Sequence, residues 1–294
     1  MSRAAVLSQS KVGEFPEWRR WAPVVVAALA FALLFWDPMR TLARDWWSDP
    51  EAGHGLLLGP LALFLAWKKG LGEDRRSQPL LGAAILLGAV VLRYLSGAAA
   101  ELFTMRMSLM FALFGLVVYA WGFGQLRRWW LSAALLVLAV PLPAVILTTL
   151  AFPLQLQASQ IGAALLEARY VPVFLAGNVI HLPGGHSLFV TEACSGLRSL
   201  TALVSLGVLI GGLWLGSPFT RILLLALTVP VAILINGFRV FLTGFLVFHV
   251  SPELGEGFMH MSEGWAMFVI AFLVLGGMAW VLVQLEGAVR RRFA

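Results

Sequence analysis

A polytopic all-α membrane protein is the fold class this sequence predicts, and three observations predict it. Hydrophobic residues make up 60% of the 294-residue chain and charged residues 12%, with a mean hydropathy of +0.87. Soluble domains carry roughly 25% charged residues. Apolar stretches long enough to cross a bilayer recur along the chain, and in lipid only a helix or a closed barrel satisfies its own backbone. Basic residues gather in alternate inter-span segments, the pattern by which multi-spanning chains record their orientation. The expectation is a helical bundle of about eight transmembrane helices with a small extracytoplasmic segment, an amphipathic helix followed by a hairpin.

Taken in order, residues 1–20 read as a polar cytoplasmic arm and residues 21–294 as one integral-membrane domain. Spans are expected near 21–39, 54–67, 79–96, 102–123, 129–151, 195–215, 220–248 and 263–285. The first follows Arg19 and Arg20 but leads into Trp36-Asp37-Pro38-Met39-Arg40, with no small-residue cleavage site, so it reads as a retained anchor rather than a signal peptide. The second is short, which suits a tilted, re-entrant or neighbour-completed segment. Residues 70–78 form a solvated loop. Residues 152–193 make the extracytoplasmic insert: apolar and polar residues alternate at helical spacing in its first half, and a β-hairpin is expected around Pro183-Gly184-Gly185 in its second.

With the N-terminus in the cytoplasm and sides alternating, the inner segments hold 14 of the 21 basic residues and five acidic ones. That is +9 inside and −3 outside, which accounts for the net +6. Both termini then lie inside, which requires an even number of spans. The basic pI of about 10.2 is therefore an orientation signal and not the footprint of nucleic-acid binding.

One cysteine, Cys194, excludes an internal disulfide and any thiolate cluster for a metal; no cofactor and no metal is expected. Polar groups at membrane depth are expensive and each is a functional hypothesis. Cys194 lies in Thr191-Glu192-Ala193-Cys194-Ser195-Gly196-Leu197-Arg198 at the start of the sixth span, where a helix N-terminus and Arg198 would favour the thiolate. The bland alternative is a small apolar filler. Arg239, in Asn236-Gly237-Phe238-Arg239-Val240, lies about 27 Å along a helix from Arg221, near the outer boundary of the seventh span. It either snorkels to headgroups or faces a partner or anion. His260, in Gly257-Phe258-Met259-His260, approaches the last span from outside, where an imidazole serves as acid or base near neutral pH; His249 is its rival. A thiol, a guanidinium and an imidazole from three spans, all expected on one face, are the parts of an acyl-transfer site.

These residues carry a resemblance. The chain resembles the exosortase/archaeosortase family of multi-pass membrane cysteine transpeptidases. The matching motifs are Trp47-Ser48-Asp49-Pro50 with His54-Gly55, Glu192-Ala193-Cys194-Ser195-Gly196-Leu197-Arg198-Ser199, Asn236-Gly237-Phe238-Arg239-Val240, and Gly257-Phe258-Met259-His260 with Gly264-Trp265. The resemblance implies cleavage, often with transfer, of C-terminal sorting signals on membrane-anchored protein substrates at the outer face of the cell inner membrane. It assigns the catalytic roles to Cys194, Arg239 and His260. Segment 177–190 is expected to pair with an extended substrate by strand addition or to form a structural lid, and Glu192, Arg198 and His54 are candidates for orienting groups. Two rival readings stand beside it. One is a rhomboid-like serine protease using Ser195; the other is a transporter or polysaccharide-assembly component in which Arg239 binds an anion.

Overall fold

The computed structural model describes residues 18–49, 52–73, 75–190, 197–251 and 257–293. The chain opens with α1 (Trp18–Leu34) and α2 (Trp36–Ser48), which meet at a bend of 62°. Pro38 explains the position of the bend, because it has no N–H to give to the carbonyl of Leu34 and its ring would crowd that carbonyl. Helix α3 (Gly55–Lys69) comes next, and α4 (Pro79–Ala98) and α5 (Leu102–Trp121) follow as a tight hairpin. A Cβ on Gly82 would run into the backbone of Tyr119, and one on Gly115 would meet Leu86; these two glycines let the hairpin helices approach closely. Glu101 starts α5 by accepting the N–H groups of Phe103 and Thr104 at 2.9 and 2.7 Å.

Helices α6 (Phe123–Arg128) and α7 (Trp130–Leu138) lead to Pro141 and Pro143, after which α8 runs from Ala144 to Glu167. A three-stranded antiparallel sheet follows, β1 (Phe174–Ala176), β2 (Val179–His181) and β3 (Ser187–Phe189), in the order β1-β2-β3. The chain then enters α9 (Leu197–Trp214), α10 (Pro218–His249) and α11 (Gly257–Phe293).

Among the described residues four helical segments are long and apolar enough to cross a membrane: α4, α5, α10 and residues Ala266–Arg291 of α11. The bent pair α1/α2 would make a fifth. These correspond to the third, fourth, seventh, eighth and first expected spans. The remaining expected spans are shorter or interrupted. Helix α3 has 15 residues, about 22 Å of axis. The apolar run 129–151 is not one helix, since two prolines lie between α7 and α8 and remove the donors needed to continue it. Position 152 is accordingly no boundary: α8 begins at Ala144 and buries Ala151, Gln155, Ala158, Ser159, Ala163 and Leu166. Its principal neighbour is α10. The hairpin around Pro183-Gly184-Gly185 is present as the β2–β3 connection, with Gly184 and Gly185 both at φ +82°, and β1 is an addition that three residues of sequence did not announce.

The charged helix ends come together at one end of the bundle. Gly72 N–H donates to Gln125 Oε1 at 2.9 Å, and Arg128 Nη2 to the carbonyl of Lys69 at 3.3 Å, joining the basic ends of α3 and α6. Arg221, in the first turn of α10, lies 4.9 Å from the ring of Trp130 at the start of α7 and caps the carbonyl of Leu215 with Nε and Nη2. Glu286 of α11 accepts the N–H groups of Gly216 and Ser217 at 3.0 Å and the hydroxyl of Thr220. Lys68, Lys69, Arg127, Arg128, Arg221, Arg290 and Arg291 are thus gathered toward one side of the bundle. The sheet belongs to the other end of α10: Ile180, Leu182 and Val190 are buried with Leu166, Val240 and Val247.

Candidate functional site

Three helices, α9, α10 and α11, share a core that includes Leu203, Leu224, Val231, Ala232, Ala271 and Leu275. A small pocket opens in the same three-helix unit, lined by Leu203 of α9, by Ala232, Ile235, Asn236 and Arg239 of α10, and by Met267, Phe268 and Ala271 of α11. Asn236 and Arg239 are the polar members of that lining. They stand three residues apart and so project from one face of α10. Asn236 is buried, and the Nε atom of Arg239 is withdrawn from the surface. Thr243, one turn beyond, donates its hydroxyl to the carbonyl of Arg239 at 3.0 Å.

Glycine positions this pair. At the crossing of α8 and α10, a Cβ on Gly237 would lie 2.5 Å from Cγ2 of Ile161, and one on Gly162 would lie 2.6 Å from Cγ1 of Val240. The two helices therefore interlock reciprocally, each presenting a glycine to a β-branched residue of the other. Between Asn236 and Arg239, Gly237 is required by this close approach and not by a turn.

Of the residues singled out from sequence, Arg239 is in the pocket. Cys194 lies outside the described residues, as do Glu192 and Ser195. His260 belongs to the first turn of α11 and Arg198 to that of α9, but their side chains are outside the description. His249 ends α10 ten residues after Arg239, about 15 Å along the axis; it is exposed, with its ring 4.4 Å from that of Phe245 and 4.8 Å from that of Phe248. It does not line the Arg239 pocket.

His54 has a different setting. Its Nε2 is 3.3 Å from the carbonyl of Leu138, and Trp46 Nε1 donates to the carbonyl of Ala139 at 2.7 Å. Both satisfy carbonyls at the C-terminal end of α7, which the proline-rich break leaves without helical partners. Trp46 also covers Gly55 and Gly59, where a Cβ would meet its ring. Of the motif Trp47-Ser48-Asp49-Pro50 with His54-Gly55, His54 and Gly55 thus join Trp46, which the sequence reading did not single out, in a clamp on a broken helix, while Trp47 is exposed. The sequence motif assigns Asn236 no role of its own; its i, i+3 spacing from Arg239 is the signal that places it on the same face. Among the described residues no group of three His, Cys, Asp or Glu side chains is placed to hold a metal ion.

The fold and pocket define a class, a multi-pass helical membrane protein in which a buried asparagine and a half-buried arginine face a three-helix pocket. The sequence pattern of the transmembrane exosortase family matches residues 46–277, most of the chain, and the chain belongs to that family. No curated protein and no solved structure matches it.

Proposed function

We propose that this protein is a cysteine-type membrane transpeptidase or protease that cleaves C-terminal sorting signals of exported, membrane-anchored proteins. The observation that carries the reading is the composition of the Arg239 pocket. Its walls are α9, which begins three residues after Cys194; α10, which carries Arg239; and α11, whose first turn contains His260.

In the proposed reaction the Cys194 thiolate attacks the scissile carbonyl carbon, and Arg239 stabilises the oxyanion that forms. The C–N bond breaks as His260 gives its proton to the departing amine, leaving a thioester. An incoming amine or water surrenders a proton to His260, attacks the thioester, and releases product and thiolate. The substrate arrives laterally between helices, because its own anchor is in the bilayer. The basic end of the bundle supports a cytoplasmic side holding both termini, so that the opposite end, with Arg239 and the sheet, faces the outside of the inner membrane.

The sheet offers a means of holding an extended peptide. Leu182 N–H donates to His186 C=O and Val190 N–H to Asn178 C=O, at 2.8 and 2.9 Å. With Ile180 opposite Leu188 and His181 opposite Ser187, alternation then directs the backbone groups of Ile180 and Leu188 to each other, while those of Ser187 and Phe189 point away from β2 along the free edge of β3. A substrate strand added there would lie along β3, whose last residue, Phe189, precedes Cys194 by five residues in the chain.

The test uses a membrane reporter carrying a tail of short motif, apolar helix and arginine cluster. Cys194→Ala should leave it uncleaved while the enzyme accumulates normally, and Arg239→Ala should lower kcat by roughly 10²–10³-fold. Full processing by Cys194→Ala, or loss of activity with Ser195→Ala instead, would overturn the mechanism.

A further inference from the structure

Helix α2 divides its charges between two faces. Toward the protein, Pro38 and Leu42 are buried, and Asp45 accepts Arg106 Nη2 of α5 at 2.6 Å. Asp37 accepts Arg93 Nη2 of α4 at 2.7 Å. Both acidic groups of the helix are therefore committed to arginines of the α4/α5 hairpin. On the other face, Trp36, Arg40, Arg44 and Trp47 follow one another at spacings of four, four and three, a single exposed stripe. Trp36 is 56% and Trp47 82% exposed. Among the described residues neither Arg40 nor Arg44 has an acidic partner, so the fixed charge of the stripe is two guanidinium groups flanked by two indoles.

The level of α2 in the bundle is set by its ion pairs. Arg93 lies five residues before the end of α4 and Arg106 four residues after the start of α5, so α2 crosses the hairpin about 6–8 Å from its tip. The bend from α1 turns it away from the direction of that helix. In a hairpin whose helices span the bilayer, a level 6–8 Å from the tip falls at the boundary between headgroups and acyl chains, where tryptophans concentrate. Guanidinium groups pair with phosphate through two parallel hydrogen bonds.

We propose that the Trp36-Arg40-Arg44-Trp47 face of α2 is a binding site for anionic phospholipid, with Arg40 and Arg44 holding the phosphodiester headgroups and the indoles seated at the boundary. Trp36, Arg40 and Arg44 precede the segment that matches the family and Trp47 lies at its start; the face includes none of Cys194, Arg239 and His260 and is independent of the peptidase reading.

The single native cysteine makes the test direct. In a Cys194→Ala background, Ala43→Cys on the exposed face takes an environment-sensitive fluorophore, and the full chain is placed in phosphatidylcholine nanodiscs. Acyl-brominated phosphatidylglycerol is compared with acyl-brominated phosphatidylcholine at the same low mole fraction. Phosphatidylglycerol is expected to quench more strongly, by a local enrichment of a factor of about five for each arginine. Arg40→Gln/Arg44→Gln should abolish the excess, and Arg40→Lys/Arg44→Lys, which keeps the charge without the two parallel hydrogen bonds, should retain part of it. Equal quenching by the two lipids, or an excess that survives the glutamine pair, overturns the proposal.

Discussion

Replacing Gly237 with alanine sets a methyl group into the crossing of α8 and α10. The new carbon would stand 2.5 Å from Cγ2, 2.6 Å from Cβ and 3.2 Å from Cδ1 of Ile161, where carbon atoms settle at about 3.5–4.0 Å. A rotamer change moves Cγ2 and Cδ1 of Ile161 but not its Cβ, which is fixed to the helix backbone. The helices must therefore part by about 1 Å, and the reciprocal contact of Val240 with Gly162 loosens with them. Overpacking of this kind is worth about 1–3 kcal/mol, and each kcal/mol lowers the melting temperature of a chain near this size by roughly 2–4 °C. Gly277 of α11 is the internal comparison, since a Cβ there meets nothing within 4 Å. Gly277→Ala should stabilise by about 0.5–1 kcal/mol through lost unfolded-state freedom. Intrinsic tryptophan fluorescence during thermal unfolding in detergent reads both. The reasoning fails if Gly237→Ala melts at or above the wild type, or if Gly277→Ala lowers the midpoint as much. Because Arg239 is two residues from Gly237, reporter cleavage should fall further than the loss of folded protein explains.

Three further outcomes are expected. Arg106, with its side chain 5% exposed, is neutralised by Asp45 at 30% exposure, so Asp45→Leu should destabilise by about 3–5 kcal/mol and Arg106→Met added to it should restore most of the loss; a double variant no better than the single refutes this, by the same melting assay. Glu101 is held below its ordinary 4.5, first by the Thr104 hydroxyl and then by the N–H groups of Thr104 and Phe103. Its stabilisation is thus complete above the ordinary value and disappears as pH falls through the lowered one, so Glu101→Ala should cost about 1 kcal/mol at neutral pH and nothing at strongly acid pH. At the free edge of β3, Ser187→Pro removes an N–H aimed away from β2 and should lower reporter kcat/KM by roughly tenfold with folding intact, whereas Leu188→Pro breaks the bond to Ile180 and should impair folding itself; Ser187→Pro with normal turnover counts against strand addition.

Hydropathy and charge are local sums, and that is why so much was legible without coordinates. The apolar runs of α4, α5, α10 and α11 contain enough residues to cross a bilayer in their own composition, the basic residues of the alternating segments do gather at one end, and the motifs at Trp47 and His54, around Cys194, around Arg239 and around His260 sufficed to suggest the family. The bend at Phe35 and the break between α7 and α8 were also written in Pro38, Pro141 and Pro143. A continuous hydropathy profile hides them, because proline interrupts a helix by its missing donor and not by its polarity.

What only the tertiary structure decided is who meets whom. Arg93 and Arg106 counted simply as outer charges until Asp37 and Asp45 were found opposite them, 56 and 61 residues away in sequence. His54, a candidate orienting group, proved to face the carbonyl of Leu138, 84 residues distant. Gly237 stood unexplained in its motif until Ile161 of α8 came against it. The sequence by itself determined that this chain belongs in a bilayer, which way its charges sort and which polar residues had to be accounted for, since each follows from solvation of residues one at a time. Pairing across helices depends on crossing positions set by glycines and packed side chains, and a one-dimensional pattern carries no distance between them.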